Sequence, residues 1–121
     1  MNIPKVSVIV LIYKVEKYIE RCARSLFCQT MQDIEYVFVN DCTPDCSIQI
    51  LQSVIDEYPQ RKSDIKIISH EKNMGSGVAR NTGLEVADGE YIIYCDGDDW
   101  VDPDMYAVSY THLTLPTNSR V

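Results

Sequence analysis

Residues 6–13, VSVIVLIY, form a continuous apolar run rich in β-branched residues. A run this short and this apolar reads as a strand buried on both faces, which calls for a parallel sheet with helices on either side. Residues 35–40 (EYVFVN), 65–69 and 91–95 repeat the pattern. Between them lie three helical segments. Residues 16–29 place Tyr18, Ile19, Cys22, Leu26 and Phe27 on one helical face. The second segment starts with Thr43 as N-cap and Pro44 at the first helical position, and carries Ile48, Ile50, Leu51, Val54 and Ile55 to about Tyr58. The third spans 75–86 and is closed by Asp88 and Gly89. The order β-α-β-α-β-α-β predicts an α/β fold with an open, mostly parallel sheet and flanking helices.

Composition narrows the class. The chain has 121 residues, 45% of them hydrophobic, which suits one domain with a real core. With 18 acidic against 11 basic residues its net charge is −7. No basic face for nucleic acid is expected from that balance, whereas a bound divalent cation would offset it. The five cysteines are odd in number, and no signal-like stretch precedes the first strand. Reduced thiols and a cytoplasmic location follow as expectations. Cys42 and Cys46 resemble half a zinc site, but no second pair has matching spacing. No apolar run approaches the roughly 20 residues of a membrane helix. Residues 107–121 carry no helical stripe and mix Thr, Pro, Asn and Ser with a few apolar residues. The reading is a domain over 1–106 and an atypical tail over 107–121, either native or, as the favoured alternative, foreign to it.

Ligands of open α/β sheets bind beyond the carboxyl ends of the strands. Those ends carry Tyr13 and Lys14, then Asn40 and Asp41, then Ser69 and His70, then Asp96-Gly97-Asp98-Asp99. Neighbouring carboxylates repel unless something neutralises them, and Mg²⁺ or Mn²⁺ does so through oxygen ligands. Gly97 lets the backbone bend between Asp96 and Asp98. Asp41 is placed to accept hydrogen bonds from a base or ribose, and Tyr13 to stack on a flat ring. Plainer readings compete. The aspartates suit a solvated turn, Asp41 a cap on the following helix, Tyr13 simple packing, Arg80 a helix-surface charge and His70 a structural or solvent-facing role. Their collection on one rim favours a site. GSGVAR at 75–80 does not follow the first strand and ends on Arg80, so it is no dinucleotide fingerprint. The 96–107 stretch has Val101 and Ala107 where a calcium loop needs Gly and Glu. There is no P-loop and no nucleophile elbow.

The segments VSVIVLIYKVEKYIERCARSLFCQT, YVFVNDCTPDCSIQIL and NMGSGVARNTGLEVADGEYIIYCDGDDWVDPDM together resemble the N-terminal half of a family 2 glycosyltransferase of GT-A fold. The resemblance covers about residues 4–105. It implies a nucleotide-sugar donor, usually a UDP-sugar, with Mn²⁺ or Mg²⁺, and inverting transfer to a glycan or lipid-linked acceptor at the inner face of a membrane. It implies that Asp41 contacts the uracil and that Tyr13 lies against the base. Asp96 and Asp98 match the D-x-D element, the first on ribose or nucleotide and the last on the metal, with Asp99 as neighbour. Arg80 and Asn81 match a segment near the nucleotide. The chain departs from the family pattern at Leu11, usually Pro, at Lys14, usually Asn, and at Cys42, usually Gly. The carboxylate general base of inverting members lies in the second half of the domain. Asp102 and Asp104 sit too close to the metal element for that role. The expectation is therefore a truncated domain that binds donor and metal without transferring sugar. The alternatives are a non-catalytic nucleotide-binding module and an inactive product whose open sheet edges self-pair into a dimer.

Overall fold

The computed structural model describes Pro4 and residues 6–98. The expectations for Asp99, Asp102, Asp104 and the 107–121 tail lie outside the described residues. Four strands are present, β1 (Val6–Ile12), β2 (Ile34–Asn40), β3 (Ile65–Ser69) and β4 (Tyr91–Asp96). Three helices alternate with them: α1 (Ile19–Phe27), α2 (Ser47–Asp56) and α3 (Ser76–Val86), and a 3-10 turn over Pro59–Asp64 leads into β3. All strand pairs are parallel and the sheet order is β3-β2-β1-β4.

The strands are apolar on both faces because helices cover both. Val6, Val8, Val10 and Ile12 of β1 join Tyr36 and Phe38 of β2 beneath α1 and α2, which contribute Cys22, Leu26, Phe27, Leu51 and Val54. On the opposite face Ile9, Val37, Val39 and Ile92 meet Ala79 of α3. Gly83 lets α3 ride close to the sheet, since a Cβ there would stand 2.6 Å from a methyl of Ile9. The sheet grows outward from β1 in both directions, so its topological switch point lies between β1 and β4. Such points open a crevice at the carboxyl ends of the strands.

Two helix starts differ from the sequence reading. α1 begins at Ile19 rather than 16, because Glu16 is drawn into a neighbouring loop. Its N–H donates to Asp45 (3.3 Å), and its carboxylate accepts from the Cys46 N–H (3.2 Å). α2 begins at Ser47, and Thr43 and Pro44 stand outside it. Cys46 stands at the N-cap without a side-chain cap, and Asp45 before it accepts the N–H (3.1 Å) and the hydroxyl (2.6 Å) of Ser47. Thr43 is occupied elsewhere, donating to Asp45 and accepting the Lys14 N–H at 2.8 Å.

The amino ends of the strands are pinned by a buried charge. Glu35 is 5% exposed and accepts the Ser7 hydroxyl (2.6 Å) and the Asp88 N–H (2.9 Å). Lys66 pairs with Glu35 and with Asp88 (2.9 Å), and also donates to the Val86 carbonyl. The turn between α3 and β4 is thereby tied to β1, β2 and β3 at the pole opposite the rim.

Candidate functional site

The strand registers set the rim. Leu11 pairs with Asp96, Ile12 with Asn40, and Asn40 with Ser69. Four chain segments thus leave the sheet side by side. The first two are strained in the same way. Lys14 has φ 55° and Cys42 has φ 58°, the only non-glycine residues with positive φ among the described residues. Each lies two residues past its strand. Left-handed backbone at a non-glycine residue persists only where surrounding structure holds it. Here the two loops hold each other, with Lys14 bonded to Thr43, Val15 to Ser47 and Glu16 to both Asp45 and Cys46. Tyr13 projects from this joint wall, 40% exposed, with the Lys14 ammonium 5.4 Å from its ring centre.

Asp41 turns the other way. It is 4% exposed and caps neither α1 nor α2. Oδ1 accepts the Met74 N–H (2.8 Å) and faces Nδ1 of His70 (2.9 Å). Oδ2 accepts the Gly75 N–H (2.9 Å) and the Asn73 amide (3.1 Å). Burial pushes the Asp41 carboxyl up, but bonds from His70, Met74 and Gly75 outweigh it and hold the group below its ordinary value. The acidic residue at the end of β2 therefore anchors the entry to α3. His70, read from sequence as a lone structural histidine, belongs to this network, and its Nε2 reaches the Thr82 hydroxyl at 2.8 Å. The register was the signal for it: His70 leaves β3 where Asp41 leaves β2. Asn73 and Thr82 carried no such signal.

At the end of β4, Asp96 and Asp98 are exposed and Gly97 between them is buried. Gly97 donates its N–H to the Leu11 carbonyl (3.2 Å), and a Cβ at Gly97 would lie 2.9 Å from that same oxygen. The bend therefore packs against the end of β1 and presents both carboxylates at the switch point. Arg80 lies on α3 with its guanidinium 5.6 Å from the ring centre of Tyr94, on the α3 face of β4.

Among the described residues no three His, Cys, Asp or Glu side chains gather into a metal-binding group. Asp96 and Asp98 still supply the donor type that Mg²⁺ and Mn²⁺ take, two carboxylates open to solvent and to further oxygen ligands. None of the five cysteines forms a disulfide. No described helix is long and apolar enough to cross a membrane.

The Glycosyl transferase family 2 profile matches residues 7–115. The glycosyltransferase EpsJ of Bacillus subtilis is 47% identical over 104 residues, covering 86% of this chain and 29% of EpsJ. The chain thus spans under a third of the length of this relative. The S. aureus TarS structure in complex with UDP superposes with a TM-score of 0.80 at 31% identity, over 90% of this chain and 32% of that one. The mannosyltransferase PcManGT from Pyrobaculum calidifontis, in complex with GDP-Man and Mn²⁺, superposes with a TM-score of 0.86 at 25% identity, over 97% and 34%. A parallel sheet with its acidic rim at the switch point, together with these matches, establishes that the chain belongs to glycosyl transferase family 2 and has the GT-A fold.

Proposed function

We propose that this chain is the donor-binding part of a metal-dependent, inverting glycosyltransferase that uses a UDP-sugar. The observation that carries the reading is the exposed Asp96-Gly97-Asp98 bend, locked to the end of β1 at the switch point of the sheet. The UDP bound to TarS and the GDP-Man and Mn²⁺ bound to PcManGT support it by similarity.

In this reading Tyr13 lies against the base and Asp41 stands on the base side of the pocket. Asp96 accepts from the ribose, and Arg80 contributes positive charge near the nucleotide. Asp98, with Asp96, would hold Mn²⁺ or Mg²⁺. When bound, that ion supplies the positive charge that stabilises a departing diphosphate. The joined loops at Lys14 and Cys42 fix the base side before ligand arrives, so less ordering is required on binding. The acceptor is a glycan or lipid-linked hydroxyl reached at the cytoplasmic face of a membrane. The chain itself binds donor without transferring sugar, because the general base belongs to a later part of the family's domain.

The test is calorimetric titration of UDP into the folded chain with Mn²⁺, then with EDTA. Saturable binding is expected with the metal, with loss of at least about tenfold in affinity in EDTA or in Asp98→Ala. A folded chain whose UDP binding ignores both changes would overturn the assignment of the acidic bend.

A further inference from the structure

Each Asp41 oxygen already faces two nitrogen groups, from His70 and Met74 on one side and Asn73 and Gly75 on the other. An ionised carboxylate offers about four acceptor positions, so these four donors fill it. A nucleobase could bond to this carboxylate only by displacing one of them. The arrangement closes a ring through the fold. Asp41 follows β2, His70 follows β3, and Thr82 lies on α3, whose entry at Met74 and Gly75 returns to Asp41. Gly75 has φ 92°, a conformation open to glycine, and its N–H is one of those that Asp41 accepts.

We propose that His70 is a positioning residue of the nucleotide site: held between Asp41 and Thr82, it fixes the Asp41 carboxylate and through it the 73–75 loop beside the base pocket. The inference rests on the reading that this rim binds the nucleotide. The carboxylate can only accept, so Nδ1 of the imidazole carries the proton that faces Asp41. The His70 side chain is 13% exposed and that of Asp41 6% exposed, so water replaces a lost partner poorly. Removing His70 frees one side of Asp41 and loosens the loop that the other donors bring to it. His70 need not touch the ligand to change its affinity.

The two roles open to Asp41 predict opposite signs. If Asp41 bonds the base directly, His70 competes with the ligand, and His70→Ala tightens UDP binding. If Asp41 organises the loop, His70→Ala weakens it. The experiment uses the ¹⁵N-labelled full chain as wild type, His70→Ala and His70→Asn. It reads amide hydrogen exchange at Met74 and Gly75 against core amides of β1 and β2, and UDP affinity with Mn²⁺. His70→Ala is expected to speed exchange at Met74 and Gly75 roughly tenfold beyond any change in the core, and to weaken UDP roughly three- to tenfold. His70→Asn, which restores a donor on the Nδ1 side, should recover most of both effects. Thr82→Val keeps the imidazole and removes its second partner, and should loosen the same two amides more mildly even where His70→Ala fails to fold. Unchanged relative exchange, unchanged affinity with a loosened loop, or tighter UDP binding would each overturn the proposal. Wild type that binds no UDP sinks the nucleotide reading and the inference with it, while the exchange arm still reports whether His70 holds the loop.

Discussion

Replacing Cys42 by glycine should stabilise the chain. Cys42 sits at φ 58°, where a Cβ crowds the following carbonyl. That conformation costs a non-glycine residue roughly 1–2 kcal/mol. Glycine removes the cost but adds unfolded-state freedom worth about 0.5–1 kcal/mol. The side chain given up is exposed, and its thiol makes a single weak contact to the Glu71 carbonyl at 3.5 Å. The balance is a gain of about 0.5–1 kcal/mol, or roughly 2–5 °C in Tm for a domain of this size. Urea unfolding should show a higher midpoint with an unchanged slope. Cys42→Ser is the control, because it removes the thiol and keeps the Cβ. If serine stabilises as much as glycine, or glycine stabilises not at all, the backbone argument is wrong.

Gly97→Ala brings a Cβ within 2.9 Å of both the Leu11 carbonyl and Val15 Cγ2. It should cost about 1–3 kcal/mol and weaken Mn²⁺-dependent UDP binding, read by urea unfolding and calorimetry. Glu35→Gln takes the charge from the Lys66 and Ser7 network. It should destabilise by about 2 kcal/mol while leaving UDP affinity unchanged, because that network lies at the other pole of the sheet. Burial pushes the Asp45 carboxyl up, but bonds from Ser47 and Thr43 and the N–H groups of Ser47 and Glu16 prevail and hold it at about 2. Its folded value is depressed, so the stability it adds is present above the ordinary 3.8 and is lost as pH falls toward about 2. Asp45→Asn should flatten the stability profile in that acid window, measured by urea midpoints at each pH.

Element type was legible in the sequence because it depends on local pattern. VSVIVLIY could not be half-exposed, and the 3.6-residue spacing in 16–29 and 43–58 had to face a sheet. Boundaries were less legible because they depend on partners from other segments. Thr43 looked like a cap, but the Lys14 amide and Asp45 claimed its hydroxyl. No local pattern predicts the bond from Lys14, which is 29 residues away in sequence. The site divides along the same line. Tyr13, Asp96 and Asp98 lie at or within two residues of the carboxyl ends of their strands, so topology alone puts them on the rim. The role of Asp41 depends on which way its side chain turns, and that is decided by His70, Met74 and Gly75 in the segment between β3 and α3. The departures at Lys14 and Cys42 acquire a physical meaning only once φ is known. Asparagine and glycine are the residues that tolerate the left-handed region best, and this chain has lysine and cysteine there.

That substitution pattern says where this fold can carry strain. At the amino pole, Glu35, Lys66, Ser7 and Asp88 satisfy one another, and none of the described residues there is left-handed. At the carboxyl pole, two loops are left-handed without glycine and are held by bonds between them, from Lys14, Val15 and Glu16 to Thr43, Ser47 and Asp45. Strain of this kind is kept where surrounding structure over-determines it, and a binding rim gains from loops that have one conformation before ligand arrives. Glycine at position 42 relieves the backbone but also widens the conformations open to the loop. Cys42→Gly should therefore raise Tm while lowering UDP affinity or leaving it unchanged. A variant that gained both would show that the left-handed cysteine is a defect of the loop and contributes nothing to the pocket.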